Sequence, residues 1–346
     1  MVVSNFNAKL AVARAELPEP SASDAKRALT GIDLPEASAS MDEMFWKPIW
    51  KLAHDRYYWA PKRLARTVWT LLHNVRAQVR ILRVLSRPTY KRLIKVNPRL
   101  PFKYTAMDYL ARGLTVPQHV ECFIHHYRRL PDALSEDVLE KVLLEDILLD
   151  EMQDGGNRFA IRMGFSRPWD YEGELSLNLE VNGEIVFVLS FTIVPGSVVG
   201  SEMHEVVLIS RVQGVRGCYG QIQIATKALC DVAPPAVLFA ALCGIAKAFG
   251  IRAMAGITAD MKPEFHLCEG EANHIQEAYD GFFAELGAIR GPREFYLAPL
   301  PPPEKPMALI KRGHKLRTKR KRALKRQIAE RVCCRLLDAR EGEDIR

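Results

Sequence analysis

The period of the apolar pattern changes near residue 150, and this change constrains the fold more than any other feature. Before it, apolar residues recur at helical spacing, as in the stripe of Val116, Val120, Phe123 and Tyr127. After it, four runs have the composition and spacing of strands: 158–165, 174–181, 184–194 and 205–213. Asn182-Gly183, between the second and third runs, predicts a two-residue hairpin turn. The chain therefore changes from helices to an antiparallel sheet.

Further elements complete the predicted fold class. A capping box at Thr115 and Gln118 opens one helix, and another is expected from Ser135 through 147–150. After the fourth strand the predicted elements are helices at 221–230 and 234–249, a strand at 252–258, a helix at 273–286 and a strand at 294–298. The prediction is an α/β (α+β) protein, with a helical region before a mixed, mainly antiparallel sheet with flanking helices. Its parts are a disordered tail (1–43), a helical region (44–150), an α/β domain (155–300) and a basic tail or helix (307–346).

Charge is distributed very unevenly. The chain carries a net +8, but residues 56–103 hold thirteen Lys or Arg and no acid, and 311–331 hold eleven and one acid. The rest of the chain must then carry −15. Segments 62–103 and 311–331 therefore predict a polyanionic partner, either an anionic membrane surface or RNA, or the protein's own acidic body. The alternative is that they are only solvated faces of helices. Residues 62–85 form an apolar stripe beside an arginine stripe, which either lies on a membrane or docks on the body.

Several classes of protein do not fit the sequence. The long apolar stretch at 233–245 is interrupted by Pro and Gly and is shorter than the roughly 20 residues of a membrane span. The first residues lack the pattern of a secretory signal, and the seven cysteines include no CxxC pair. We expect a cytoplasmic protein, with peripheral attachment at the inner membrane as an extension of that prediction. His266, Cys268 and His274 are interpreted as polar loop residues, and no metal is expected.

A glycine-rich turn follows the fourth strand, in the sequence SRVQGVRGCYG at 210–220. Backbone N–H groups at a helix start, together with an arginine, can hold phosphate oxygens. Gln213, Gly214, Arg216 and Gly217 are therefore candidate donor-binding residues. The alternative is that the glycines serve backbone geometry alone.

The order of elements around this turn resembles the GNAT acyltransferase superfamily, in which an RGxGx(G/A) turn binds the pyrophosphate of an acyl-CoA. Arg216 and Gly217 match the first two positions, but Tyr219 stands where glycine is expected. The resemblance implies acyl-CoA as a co-substrate, with Asn273 and Tyr279 near the leaving thiolate. Tyr279 would protonate that thiolate, and His204 or Glu205 would be the base. About 34 residues separate Gly217 from the next strand, where the superfamily has one helix.

Long strings of the chain resemble the VirK/YbjX family of bacterial proteins. They include IKVNPRLPFKYTAMDYLARGL, LSFTIVPGSVVG, LISRVQGVRG and YDGFFAELGA. The resemblance implies a role in envelope maintenance, host survival or antimicrobial-peptide resistance, without an agreed reaction. Two functions stay open: an acyl- or aminoacyl-transferase acting on an envelope component, and a non-catalytic basic adaptor. A pantetheine-sized cleft between the strands that end near Gln213 and Thr258 would favour the transferase, and a sealed sheet there would favour the adaptor.

Overall fold

The computed structural model describes residues 61–166, 170–262 and 272–340. The expected tail at 1–43, the start of the helical region, and His266 and Cys268 lie outside these residues. The helical region contains α1 (Pro61–His73), α2 (Val75–Val84), α3 (Pro88–Val96), a 3-10 segment (Leu100–Thr105), α4 (Val116–Ala133) and α5 (Glu136–Leu144).

Local sequence signals account for most helix starts. Pro occupies the first turn of α3 and α4. Backbone N–H groups in the first turn have no intrahelical acceptor, so the N–H group that Pro lacks costs no hydrogen bond there. The predicted capping box is confirmed at α4, with the Thr115 N–H donating to Gln118 Oε1 at 2.8 Å. The single basic helix expected over 62–85 is instead two helices, which meet at Asn74.

The prediction of a helix over residues 147–150 is wrong. The helix that begins after Ser135 ends at Leu144, and residues 147–150 belong to the first strand, β1 (Ile147–Asp154). Asp146 between them has a φ of 68°, which stops a right-handed helix. Leu139, Val142, Leu143 and Ile147 fit helical spacing across this break, so periodicity alone could not locate it.

The later elements confirm the predicted α/β class. They are β2 (Asn157–Phe165), β3 (Leu175–Val181), β4 (Glu184–Pro195), α6 (Gly196–Val199), β5 (Glu205–Gly214), α7 (Tyr219–Ala228), α8 (Pro234–Phe249), β6 (Ala253–Gly256), α9 (Ala272–Glu285), β7 (Ile289–Arg290), β8 (Tyr296–Pro299) and α10 (Lys315–Arg340). Within the described residues the strands form one sheet in the order β1-β2-β3-β4-β5-β6-β8-β7. Neighbours are antiparallel except β5 and β6, which are parallel because α7 and α8 form a crossover between them.

The hairpin between β3 and β4 forms as predicted. Asn182 and Gly183 both have positive φ, 53° and 90°, as a type I′ turn requires. The Asn182 side chain also ties the turn to β2, because its Oδ1 accepts a bond from the Arg158 N–H at 2.9 Å.

Helices cover both faces of the sheet, and every residue of β3 is buried. On one face, α4 packs on β4 and places Tyr127 against Glu174. On the other face, α10 packs on β1 and α8, with Arg331 donating two bonds to Asp150 at 2.7 and 2.8 Å. Asp150 pairs with Ile161, which pairs with Leu179, so these three side chains lie on one face of the sheet. Side chains alternate between the faces along a strand, and Glu174 is an odd number of residues, five, from Leu179. Glu174 and Asp150 are therefore on opposite faces.

No helix in the described ranges is both long enough and apolar enough to span a bilayer.

Candidate functional site

The pairing between β5 and β6 ends halfway along β5, and we call the region between the two strands beyond that point the strand gap. The two strands pair only over Val207–Ile209 and Met254–Gly256, followed by one bond from the Ile257 N–H to the Ile209 carbonyl at 3.2 Å. β5 continues to Gly214 beside β4. A bulge inserts Ser210 into β5 at this point, and a bulge bends its strand and increases local twist. The bulge accounts for the divergence.

Tyr279 of α9 reaches into the strand gap. Its side chain is buried, and its hydroxyl oxygen accepts a hydrogen bond from the Val212 N–H at 3.4 Å. Thr258, two residues after the end of β6, is fully buried, and its hydroxyl has no hydrogen-bond partner among the described residues. A buried unpaired hydroxyl is unfavourable by about 1–3 kcal/mol. The strand gap therefore contains the hydroxyl of Tyr279, and the unpaired hydroxyl of Thr258 belongs to the segment that follows β6.

An ion cluster borders the strand gap. The Glu172 carboxylate pairs with Lys262 and, at 3.2 Å, with Arg211 Nε. The Lys262 ammonium also lies 5.3 Å from the centre of the Tyr279 ring. Arg211 Nε donates to Gln213 Oε1 at 3.2 Å, which links the cluster to the candidate donor-binding turn.

A second, fully buried cluster lies next to it in the chain. Lys103 Nζ is 2.9 Å from Glu174 Oε2, and neither side chain has any exposed surface. The carboxylate also accepts bonds from the hydroxyls of Tyr109, at 2.5 Å, and Tyr127. Burial, followed by the Glu174 charge, raises the pKa of Tyr127 well above its ordinary value, so this hydroxyl stays a donor.

Gly173 joins the two clusters. Its φ is 146°, and a side chain at this position would meet Ser190 Cβ at 2.9 Å. Only glycine fits this close approach without displacing β4. Glu172 and Glu174 thus share one polar layer between α4 and the sheet.

The glycine-rich turn lies at the end of β5. Gly217 has a φ of 84°, Arg216 is exposed, and α7 begins two residues later. The Val215 N–H is tied to the Val186 carbonyl at 2.9 Å. Tyr279, through Val212, lies one residue from Gln213, so the structure brings Tyr279 together with the start of this turn. Asn273 is the second residue of α9, but its side chain, like that of His274, is outside the described part.

The two predicted bases lie elsewhere. Glu205 is the first residue of β5, and His204 precedes it. Glu205 lies seven residues before Val212, which is about 23 Å along a strand, and His204 is one residue farther away. Glu205 contacts α4 there, pairing with His125 Nε2 at 3.1 Å and Arg129 Nε at 3.0 Å. Burial lowers the pKa of His125, and the Glu205 carboxylate opposes that shift. The structure does not bring His204 or Glu205 to Tyr279.

A cavity of about 510 Å³ opens near the same layer. Its lining includes Arg112, Gln118, Asp260, Met261 and Arg293. Met261 precedes Lys262 of the ion cluster, and its carbonyl accepts a bond from the Arg112 N–H at 2.9 Å. The cavity therefore shares a short chain segment with the strand gap.

Sequence reasoning missed the residues that form the two clusters. No role is predicted for Lys103 from the sequence, and Glu174 is only the first residue of the strand predicted at 174–181. One signal was available, since each is a lone charge next to residues with apolar or aromatic side chains. Their pairing across 71 positions was not readable without the fold.

Three comparisons with known proteins complete the description of the site. The model of a family described as "Protein of unknown function (DUF535)" matches residues 56–333, well over half of the chain. No curated protein matches. No solved structure matches either.

Proposed function

We propose that this chain, which belongs to the DUF535 family of proteins of unknown function, transfers an acyl group from a thioester donor bound in the strand gap. One observation carries the proposal: β5 and β6 separate, and Tyr279 and Thr258 supply polar groups at the opening. Separated parallel strands next to a topological crossover are a common position for ligands in α/β sheets.

The strand order supports a likeness to the GNAT superfamily. An antiparallel meander leads through one parallel pair to a final hairpin, whose last strand lies beside β6. A glycine-rich turn and a helix follow the strand that diverges, as in that superfamily. Two helices, α7 and α8, stand where the superfamily has one, so the resemblance does not extend to every element.

The donor would lie along the edge of β5 beyond its pairing with β6, an edge that the buried side chain of Tyr279 now occupies. A pantetheine amide can accept the Val212 N–H bond that Tyr279 now accepts, and the freed tyrosine hydroxyl can turn to the sulfur. The diphosphate would lie on the turn of Gln213, Gly214, Arg216 and Gly217 at the start of α7, where N–H groups and a guanidinium favour anions.

The transfer step follows from this placement. An acceptor amine attacks the thioester carbonyl carbon, the C–S bond breaks, and the thiolate takes the proton of Tyr279. The proton that the amine loses returns to the tyrosine through water. His204 and Glu205 are given no part in this step because about 23 Å separates them from Val212. Glu172, Arg211 and Lys262 act as positioning residues that hold β5 and the ring of Tyr279.

The class of acceptor comes from the VirK/YbjX resemblance. A bacterial envelope component with a free amine or hydroxyl would connect acyl or aminoacyl transfer with envelope maintenance and peptide resistance. We place this activity in the cytoplasm or at the inner face of the inner membrane.

Binding of acyl-CoA tests the proposal. Acetyl-CoA and longer acyl-CoA thioesters should raise the melting temperature of the wild-type protein. Arg216→Ala should weaken donor binding in calorimetry by about tenfold or more, since a charged hydrogen bond contributes about 1.5–3 kcal/mol. Tyr279→Phe should leave donor binding within a few-fold and reduce transfer. Arg128→Ala, which removes an exposed arginine of α4, is the matched control. A wild-type protein that no CoA thioester stabilises would contradict the proposal.

The second candidate function is a non-catalytic basic adaptor on an anionic surface. It is favoured by the solvent-facing side of α1 and α2, where apolar side chains and arginines are exposed together. Attachment by this surface is also compatible with acyl transfer, because the surface and the strand gap have no residue in common; the two candidate functions differ in whether the protein is catalytic.

A further inference from the structure

We propose that the outward side of α1 and α2 is a docking surface for an anionic lipid bilayer. We call it the apolar–arginine face; it consists of Val68, Trp69, Leu72, Val75, Arg76, Val79, Arg80 and Arg83. The proposal goes beyond acyl transfer and does not depend on it.

The apolar members are large and solvent-facing. Trp69 is 65% exposed and Leu72 is 67% exposed, and Val68, Val75 and Val79 continue the same side of the two helices. Isolated exposed apolar residues are ordinary on protein surfaces, but a contiguous group that contains tryptophan marks an interaction site. Tryptophan also favours the boundary between headgroups and acyl chains, where its ring is apolar and its N–H is hydrated.

The opposite side of α2 fixes this orientation. Gln78, Ile81 and Leu82 are buried against the body, and the Tyr104 hydroxyl donates to Gln78 Oε1 at 2.9 Å. On α1, Arg66 Nη2 donates to the Thr105 carbonyl at 3.2 Å. The helices are therefore held by one side, and the apolar–arginine face is the remaining side.

The charge of the face identifies its partner. Arg76, Arg80 and Arg83 have no ion-pair partner within 61–166, 170–262 and 272–340, whereas Arg92 on the next helix pairs with Glu140. Residues 56–103 contain no acid that could neutralise them. Unpaired arginines beside exposed Trp and Leu complement a surface that is anionic outside and apolar beneath. RNA offers the anion but no apolar phase for Leu72 and Val75.

Vesicle binding by the full-length protein tests the proposal. The protein should co-sediment with vesicles of phosphatidylglycerol and phosphatidylcholine in equal parts, and not with phosphatidylcholine alone. Binding should weaken with salt, because the Debye length falls from about 10 Å at 0.1 M to about 3 Å at 1 M. Arg76→Gln, Arg80→Gln and Arg83→Gln should each weaken binding by about fivefold, as expected for a basic residue near an anionic membrane.

The apolar residues have their own variants and controls. Trp69→Ser with Leu72→Ser should weaken vesicle binding by about tenfold or more, whereas Trp69→Phe should retain most of it. Ile289→Ser removes another highly exposed apolar residue, on β7, and should change nothing. The melting temperature of each variant should match that of the wild type, because the substituted side chains lie in solvent.

Four outcomes would overturn the proposal. The first is a full-length protein that ignores phosphatidylglycerol vesicles at low salt. The second is a Trp69→Ser, Leu72→Ser variant with a lowered melting temperature, which would mean that another part of the chain covers the face. The third is a concentration-dependent dimer that this variant abolishes. The fourth is equal binding to an RNA oligonucleotide that the serine variant leaves unchanged.

Discussion

Lys103 and Glu174 form an ion pair in which neither side chain has any exposed surface. An isolated charge of either sign would be too unfavourable at zero exposure, so each requires the other and the two tyrosine hydroxyls. The pair also fixes where the 3-10 segment meets β3, because Lys103 belongs to the first and Glu174 immediately precedes the second. We infer that the cluster positions the polar layer beside the strand gap.

His119 is buried in the same region and remains neutral. Its Nδ1 lies 3.0 Å from the Tyr104 carbonyl, which only accepts, so this nitrogen carries the proton. Its Nε2 is buried without a partner in the described ranges. Burial is the main cause that lowers the pKa of His119 from 6.5 to about 4.

We predict that this histidine makes the protein less stable in acid. Between the unfolded pKa of 6.5 and the folded pKa of about 4, the unfolded chain binds more protons. The contribution of His119 to the free energy of unfolding is therefore fully present above pH 6.5. As the pH is lowered below 6.5, this contribution decreases by at most about 1.4 kcal/mol per pH unit. Urea titrations from about pH 7 to about pH 5 should show a shallower pH dependence for His119→Phe than for the wild type. His73→Phe, at an exposed site, should keep the wild-type slope.

At this scale, the sequence grouped some candidate residues correctly in space and others not. Tyr279 and Gln213 were selected from a motif, and the structure does bring them near each other. His204 and Glu205 were selected by position in a strand, and they point to α4 instead. Adjacency in sequence says nothing about which end of a strand faces which helix, so this choice needed the fold.

The hairpin between β3 and β4 provides a prediction at the scale of an element. Gly183 has a φ of 90°, and a side chain there would meet nothing within 4 Å, so any effect of a substitution comes from the backbone. Gly183→Val should lower the free energy of unfolding by about 1–2 kcal/mol because a branched residue resists this region. Gly183→Asn should have a smaller effect, since asparagine tolerates positive φ. Equal stability of the Val variant and the wild type in urea would contradict a type I′ turn.

Elements with one dominant period were predicted to within a few residues, and the others were not. α8 begins and ends where its prolines and Gly250 place it, and β4 follows the run after Asn182-Gly183. β1 was missed because its apolar residues continue the spacing of α5 across Asp146. The division of the first basic helix at Asn74 was also missed. No proline or glycine marks that point.

The fold as a whole shows which basic side chains pair with acids of the same chain and which lie in solvent. The basic half of α10 runs beside acids of the body: Arg317 pairs with Asp231, and Arg322 and Arg326 pair with Glu304. The other half is packed, with Ile328, Val332 and Leu336 buried. The sequence left open whether this segment is a free tail or an internal clamp. The ion pairs and the packed half of α10 favour the clamp, whereas Arg76, Arg80 and Arg83 of α2 are exposed.

We therefore predict that α10 stabilises the whole fold rather than supplying membrane affinity. Truncation after Met307 would expose the surface of α8 that α10 covers, so the truncated protein should unfold at much lower urea concentration. A point variant tests the same contact without deleting it. At Gly244 of α8 a methyl group would lie 2.4 Å from the Ala329 carbonyl oxygen, and 3.0 Å from Val332 Cβ.

Gly244→Ala should lower the free energy of unfolding by about 1–3 kcal/mol, because α10 must move away from α8 to make room. Gly281→Ala is the matched control, since this helical glycine of α9 has nothing within 4 Å of the added methyl. There alanine should stabilise by up to about 1 kcal/mol through helix propensity alone. Vesicle binding by Gly244→Ala should equal that of the wild type, because the apolar–arginine face is unchanged. If Gly244→Ala is as stable as Gly281→Ala, or if it loses vesicle binding at unchanged stability, α10 is not the clamp described.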